Sequence, residues 1–223
     1  MTPLRIPGGL ALVFDLDGVI VDSMRLHTEA WRVYLERLGI SNNDIENQMH
    51  GRRNDEIVRA LIGAALPPDE VFRHGAEKER LFREMMLPQL EQHIVPGLRG
   101  FLEQTNGTPR AVASNAEPAN IDFVLDGANL RQYFSVVVDG QQVSRPKPWP
   151  DMYLRAAHLL QTSPKNCIIF EDSATGIAAA RAAGGRVAGI ATHTTSLRDV
   201  DVLVRDFRDP ALPQWLERQR ASS

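Results

Sequence analysis

The stretch LALVFDLDGVIVDS, residues 10–23, decides how the rest of the chain is read. Residues 10–14 are continuously apolar, long enough for a strand and short for a helix. Without period-2 alternation the run predicts a strand buried on both faces, as in a parallel sheet. It ends at Asp15, and a second carboxylate follows at Asp17. Residues i and i+2 of an extended chain point to the same side, so both acids project from the strand's carboxyl end. That edge is where open α/β sheets bind ligands. Gly18 then permits a tight turn or a close backbone approach. Two neighbouring carboxylates repel and need a cation, a shared proton, or both. A hard cation such as Mg²⁺, which takes one or two carboxylates and keeps several waters, suits the pair.

Outward from this stretch the pattern becomes helical. His27, Trp31, Leu35 and Leu38 fall on one stripe and predict a helix over 25–38, capped by Gly39. Short helices are expected over 42–49 and 54–62, and a long one over 69–87. Val71, Phe72, Ala76, Leu81 and Phe82 are read as the apolar positions of the long helix, and Lys78, in a charged run, as facing solvent. No strand is expected between residues 24 and 95, and Pro96-Gly97 marks the exit from this helical insertion. Strands are then expected over 110–113, 134–138, 167–170, 186–190 and 202–204, with helices over 98–104, 119–125, 151–160 and 176–183. Strands alternating with helices imply βαβ units. The expected fold is α/β: a doubly wound, Rossmann-like parallel sheet core with an inserted all-α cap domain. Residues 1–23 and 96–223 form the core and 24–95 the cap.

The length of 223 residues leaves room for such a core plus a smaller unit. One cysteine excludes an internal disulfide framework, and Cys167, in the apolar run CIIF, reads as a packed thiol. A net charge of −3 argues against nucleic acid as the main partner. No apolar stretch reaches the roughly 20 residues of a membrane span, and no signal-peptide hydrophobic region opens the chain, so the cytoplasm is expected.

Four strands end in polar residues that a sheet gathers on one edge: Asp15 and Asp17; Ser114 and Asn115; the loop carrying Lys147; and Glu171 with Asp172. Each has a plainer reading alone. Ser114 could cap the following helix, Lys147 could be a solvated loop lysine, and Glu171 and Asp172 could favour a helix N-terminus through its dipole. Asp22 reads as a turn or cap residue. Their joint order at successive strand ends favours a shared site.

In that order, DLDGV (15–19), ASN (113–115), RPKPWPDMY (145–153) and FEDSATGIAAARAAG (170–184) resemble the four motifs of the haloacid dehalogenase-like phosphotransferases. The nearest likeness is to the branch containing β-phosphoglucomutase and the sugar-phosphate and phosphoglycolate phosphatases. The resemblance implies a Mg²⁺-dependent phosphatase or phosphotransferase. Asp15 would take the phosphoryl group as an aspartyl phosphate, and Asp17 would act as general acid and base. Ser114 and Lys147 would bind the transferring phosphoryl group, with Asn115 beside them. Asp15, the backbone carbonyl of Asp17, and Asp172 would hold Mg²⁺, with Glu171 in support.

Specificity is expected from the cap. Its candidates are His27, which could equally be a satisfied histidine at the seam with the core, and Arg52 and Arg53, which could equally be solvated. The resemblance places Asn54 and His50 where the mutase carries an arginine and a lysine for a second phosphate. Hydrolysis of a sugar phosphate or a phosphoglycolate-like metabolite is therefore expected, with a phosphosugar mutase as the alternative. Asp17 speaks against a dehalogenase, and a solvent-facing Lys78 against a phosphonate-cleaving enzyme. Intact acids and lysine speak against a binding module with a dead site. The expected partner is a small phosphorylated substrate, without nucleic acid or membrane, and the expected state is a monomer.

Overall fold

The computed structural model describes residues 4, 6, 8–41, 45, 53–192 and 196–219. Six parallel strands form one sheet: β1 (Ala11–Phe14), β2 (Arg110–Ala113), β3 (Val136–Val138), β4 (Cys167–Glu171), β5 (Arg186–Ile190) and β6 (Val202–Val204), in the order β3-β2-β1-β4-β5-β6. All four residues of β1 are buried, which explains its unbroken apolar run. Chain order reverses beside β1, so its carboxyl end opens into the crevice at the topological switch point. Phe14 and Phe170 are register partners on β1 and β4, stacked with centroids 4.5 Å apart. Each directly precedes an acidic residue, so this stack fixes the rungs from which Asp15 and Glu171 project.

The helices of the core are α4 (Leu98–Gln104), α5 (Pro118–Gly127), α6 (Asp151–Leu159), α7 (Ala174–Ala183) and α8 (Ala211–Leu216). β3 is shorter than the apolar run that predicts it: Phe134 precedes the ladder and packs edge-on against Phe14. α7 starts earlier than predicted because the Ser173 hydroxyl accepts the Gly176 N–H at 3.0 Å. α8 has no counterpart in the sequence-based reading; Pro213 lies in its first turn, where a missing N–H costs nothing. Buried Arg110 donates to the Leu102 carbonyl at 2.6 Å and to the Thr105 hydroxyl at 3.0 Å, satisfying an orphan carbonyl at the end of α4.

The chain divides into two compact units, one of residues Met1–Asp22 with His93–Ser223 and one of Ser23–Gln92. The described part of the second unit is helical: α1 (Met24–Arg37), α2 (Asn54–Leu61) and α3 (Pro68–Met86), followed by a 3-10 turn at Leu87–Gln89. The helix expected over 42–49 lies outside the described residues except for buried, helical Ile45. Where the first unit is interrupted, its two ends pair with each other. Asp22 N–H donates to His93 O at 2.8 Å, and Val95 N–H to Ile20 O at 3.0 Å. An antiparallel bridge joins Val21 and Ile94, and His93 Nδ1–H donates to Asp22 O at 2.7 Å.

Within the helical unit the expected stripe on α1 holds for His27, Trp31 and Leu35, whereas Leu38 is exposed beyond the last turn. On α3 two readings need correction. Phe72 is 70% exposed, and Lys78 is 1% exposed rather than facing solvent. The buried face runs Val71, Gly75, Lys78, Phe82, Met86, a 4-3-4-4 spacing on which Lys78 falls and Phe72 does not. Buried Glu79 pairs with the Lys78 ammonium and accepts from Asn54 Nδ2 at 2.6 Å. Burial alone would raise the Glu79 pKa, but the Lys78 and His27 charges and these hydrogen bonds bring it from 4.5 down to about 2. A carboxyl lowered in the folded state stabilises the fold above pH 4.5, and that contribution is lost as pH falls towards 2. Glu79→Gln should therefore cost about 3 kcal/mol at neutral pH and much less near pH 2. Urea unfolding at both pH values reads the difference; equal losses at the two would exclude this pair as the source.

Among the described residues, no helix is long and apolar enough to cross a membrane.

Candidate active site

At the carboxyl edge of the sheet, Lys147 is shared between two carboxylates. Its Nζ lies 2.8 Å from Asp15 Oδ1 and 2.6 Å from Glu171 Oε1. All three side chains are buried, so this is a low-dielectric ion triad rather than a surface bridge. Lys147 reaches it from the loop after β3, where its backbone N–H donates to Asn115 Oδ1 at 3.3 Å. Asn115 thus braces the lysine loop from the end of β2. Ser114, buried at the same strand end, accepts the Ala116 N–H on Oγ at 3.2 Å. It does not cap α5, whose N-cap is Glu117.

Glu171 is held from every side. Oε1 accepts from Lys147 and from the Tyr153 hydroxyl. Oε2 accepts the N–H groups of Asp172 and Ser173 and the Ser173 hydroxyl at 3.0–3.2 Å. A Cβ on Gly176 would overlap this carboxylate, so only glycine leaves room for it. Tyr153 also presents its ring face to Lys147 Nζ, 5.0 Å from the centroid, and buries its hydroxyl against the acids. Sequence reasoning gave Tyr153 no role; its signal is a hydroxyl-bearing aromatic on the inward face of α6, beside a loop already singled out.

Asp172 packs against the turn after β1. Gly18 has φ +76° there, and a Cβ on it would overlap Asp172 Oδ2. The turn is closed by Gly18 N–H to Val21 O and Ile20 N–H to Leu16 O, both 2.8 Å. One ligand oxygen from each of Asp15, Glu171 and Asp172 lies within 4.8 Å of the others. Burial, opposed by Lys147 but reinforced by Glu171 and Asp17, raises the Asp15 pKa from 3.8 to about 7. Burial and then Glu171, Asp15 and Asp17 push Asp172 well above its ordinary value, against the pull of Lys147. The charge of Lys147 is thus outweighed, and the remaining donors are all oxygen. This set fits a hard divalent cation, which would hold these acids ionised together.

The other predicted residues belong to the helical unit. His27 stacks on Phe82 with centroids 3.7 Å apart, and its Nδ1 lies 3.2 Å from Lys78 Nζ. Arg53 precedes α2, exposed, with Nε 3.5 Å from Asp55 Oδ1. Arg52 and His50 lie outside the described residues.

An open parallel sheet whose central strand delivers acids into the switch-point crevice, beside a buried lysine, is the layout of an α/β enzyme with an acid-lined centre. The chain belongs to the haloacid dehalogenase-like hydrolases, whose family model matches residues 10–184. Fructose-1-phosphate phosphatase YqaB of Escherichia coli (strain K12) is 35% identical over 178 residues, covering 78% of this chain and 92% of that protein. Beta-phosphoglucomutase of Bacillus subtilis (strain 168) is 28% identical over 212 residues, 91% of this chain and 92% of that one. The solved structure of a family IA, variant 3 hydrolase of Entamoeba histolytica matches with TM-score 0.84 at 22% identity, over 93% of this chain and 98% of that one. At that identity the likeness is one of fold.

Proposed function

We propose that this enzyme is a Mg²⁺-dependent phosphatase of a small phosphorylated sugar or a phosphoglycolate-like metabolite, working through an aspartyl phosphate. The observation that carries the reading is the Asp15–Lys147–Glu171 triad, with Asp172 beside it, at the end of the central strand. An Asp15 carboxylate oxygen attacks phosphorus while the P–O bond to the sugar breaks. The carboxyl of Asp17 gives its proton to the leaving oxygen. Asp17, now a carboxylate, removes a proton from water as that water attacks phosphorus, releasing inorganic phosphate and regenerating Asp15. A covalent carboxylate intermediate divides one difficult step into two, and phosphoryl transfer depends mainly on positioning and charge neutralisation. Lys147 and Ser114, next to Asn115, bind the transferring phosphoryl group. His27, Arg52 and Arg53 are the candidates for the rest of the substrate.

Asp15, the backbone carbonyl of Asp17, and Asp172 would hold the metal, with Glu171 in support, and once bound it would supply positive charge against the phosphoryl charge that the acids would otherwise repel. Saturating Mg²⁺ should raise the melting temperature by about 5–10 °C. Asp172→Ala should lose most of that rise together with activity. Full activity in excess chelator would remove the metal from the account.

Hydrolysis rather than isomerisation is favoured by Asn54, which stands where the mutase carries its phosphate-gripping arginine and whose amide here donates to Glu79. The 35% identical fructose-1-phosphate phosphatase points the same way, and the beta-phosphoglucomutase relative keeps the mutase as the second reading. Fructose 1-phosphate and phosphoglycolate should each be assayed for phosphate release. In parallel, β-glucose 1-phosphate with Mg²⁺ and a trace of glucose 1,6-bisphosphate should yield phosphate and little glucose 6-phosphate. Glucose 6-phosphate forming faster than phosphate would promote the mutase.

A further inference from the structure

The turn at Gly18 receives one hydrogen bond from far along the chain. The Thr192 hydroxyl, just beyond β5, donates to the Gly18 carbonyl at 2.5 Å, across 174 residues of sequence. The loop that carries it is anchored where Ala191 N–H donates to Val204 O at 2.8 Å. Gly18 is flanked by two peptide planes. The first contains the Asp17 carbonyl and is held through Gly18 N–H on Val21 O. The second contains the Gly18 carbonyl, and Thr192 holds it. Glycine at positive φ has little intrinsic reason to stay in one conformation, so these two bonds fix how the turn presents its backbone. The same residue carries the contact with Asp172, whose carboxylate occupies the space a side chain on Gly18 would fill. Loosening the second plane would therefore relax the turn on both sides of Gly18, at the bond that holds the Asp17 carbonyl plane and at the close contact with Asp172.

We propose that Thr192 is a positioning residue for the metal seat, locking the Gly18 turn so that the Asp17 carbonyl and the Asp172 carboxylate face one ion. This rests on the metal assignment made above. Losing a partner bonded directly to a metal ligand typically weakens metal binding by about 10- to 100-fold, and Thr192, one peptide plane further away, is expected at the lower end of that range.

The test compares the full-length wild type with T192V, which removes the donor at nearly constant shape, and T192S, which keeps it. Mg²⁺ affinity is read by calorimetry on the metal-free proteins, and the Mg²⁺ dependence of p-nitrophenyl phosphate hydrolysis is followed separately. The expected result is about tenfold weaker Mg²⁺ binding in T192V, turnover that recovers as Mg²⁺ is raised, and wild-type affinity in T192S. T192A makes the same comparison if T192V does not fold. T192V binding Mg²⁺ like the wild type, or T192S as weakly as T192V, would overturn the role of the hydroxyl alone. A wild type that binds no Mg²⁺ would instead overturn the metal assignment, and the inference with it.

Discussion

Asp15→Asn is expected to lower turnover at least ~10⁴-fold, the scale seen when a nucleophile is removed from an enzyme that depends on it, while leaving the fold intact. Asparagine has the shape of aspartate and no attacking charge. Burial and the neighbouring acids already push the Asp15 pKa to about 7, against the opposing charge of Lys147, so ionised Asp15 is held at an energetic cost. A neutral amide relieves part of that cost. In metal-free buffer at neutral pH the variant should melt at or above the wild-type temperature, the reverse of an ordinary core substitution. Mass spectrometry of trapped wild-type enzyme should locate a phosphoryl or beryllofluoride adduct on Asp15, absent from the variant. Turnover near the wild-type rate in Asp15→Asn would end the covalent mechanism.

Lys147→Met should be costly twice over. The ammonium is the shared partner of Asp15 and Glu171, both buried. Removing one member of a buried ionic cluster leaves the others uncompensated, at about 3–5 kcal/mol. Turnover should fall by roughly 10²–10³, the usual scale for one electrostatic contact to a reacting centre. Lys147→Arg should restore little of either, because a planar guanidinium is bulkier than the point charge that the Tyr153 ring and two carboxylates enclose. Urea unfolding in chelator measures the first effect and p-nitrophenyl phosphate hydrolysis the second. Stability within 1 kcal/mol of wild type, on the order of an exposed ion pair, would mean that the triad contributes little.

Much of the fold was legible because the sheet writes itself plainly into sequence. The runs of β1, β2 and β4 are short and buried and stop at chemistry-bearing residues, so Asp15, Ser114 and Glu171 are recognisable by where each run stops. Lys147 was legible only through the motif around it, since an isolated loop lysine says nothing about burial. Tyr153 and Thr192 escaped for a different reason: their contacts, with Glu171 and Gly18, join segments that only the folded sheet brings together. Lys78 escapes because the charged residues around it mask its spacing. On α3 the 4-3-4-4 stripe places it inward, and Glu79 supplies the compensation that makes such burial tolerable.

The paired ends at Asp22 and His93 have a consequence for how the chain can be rewired. Residues Ser23–Gln92 leave and return at points already joined by backbone hydrogen bonds and an antiparallel Val21–Ile94 bridge. Two antiparallel segments in that register need only a short hairpin to connect them. The entropy of closing an excursion grows only with the logarithm of its length, so seventy residues and seven on the same clasp differ by only about 2 kcal/mol. The helical unit is thus a length of chain that can be shortened, exchanged or diversified without altering the order or register of the strands that carry Asp15, Ser114 and Glu171.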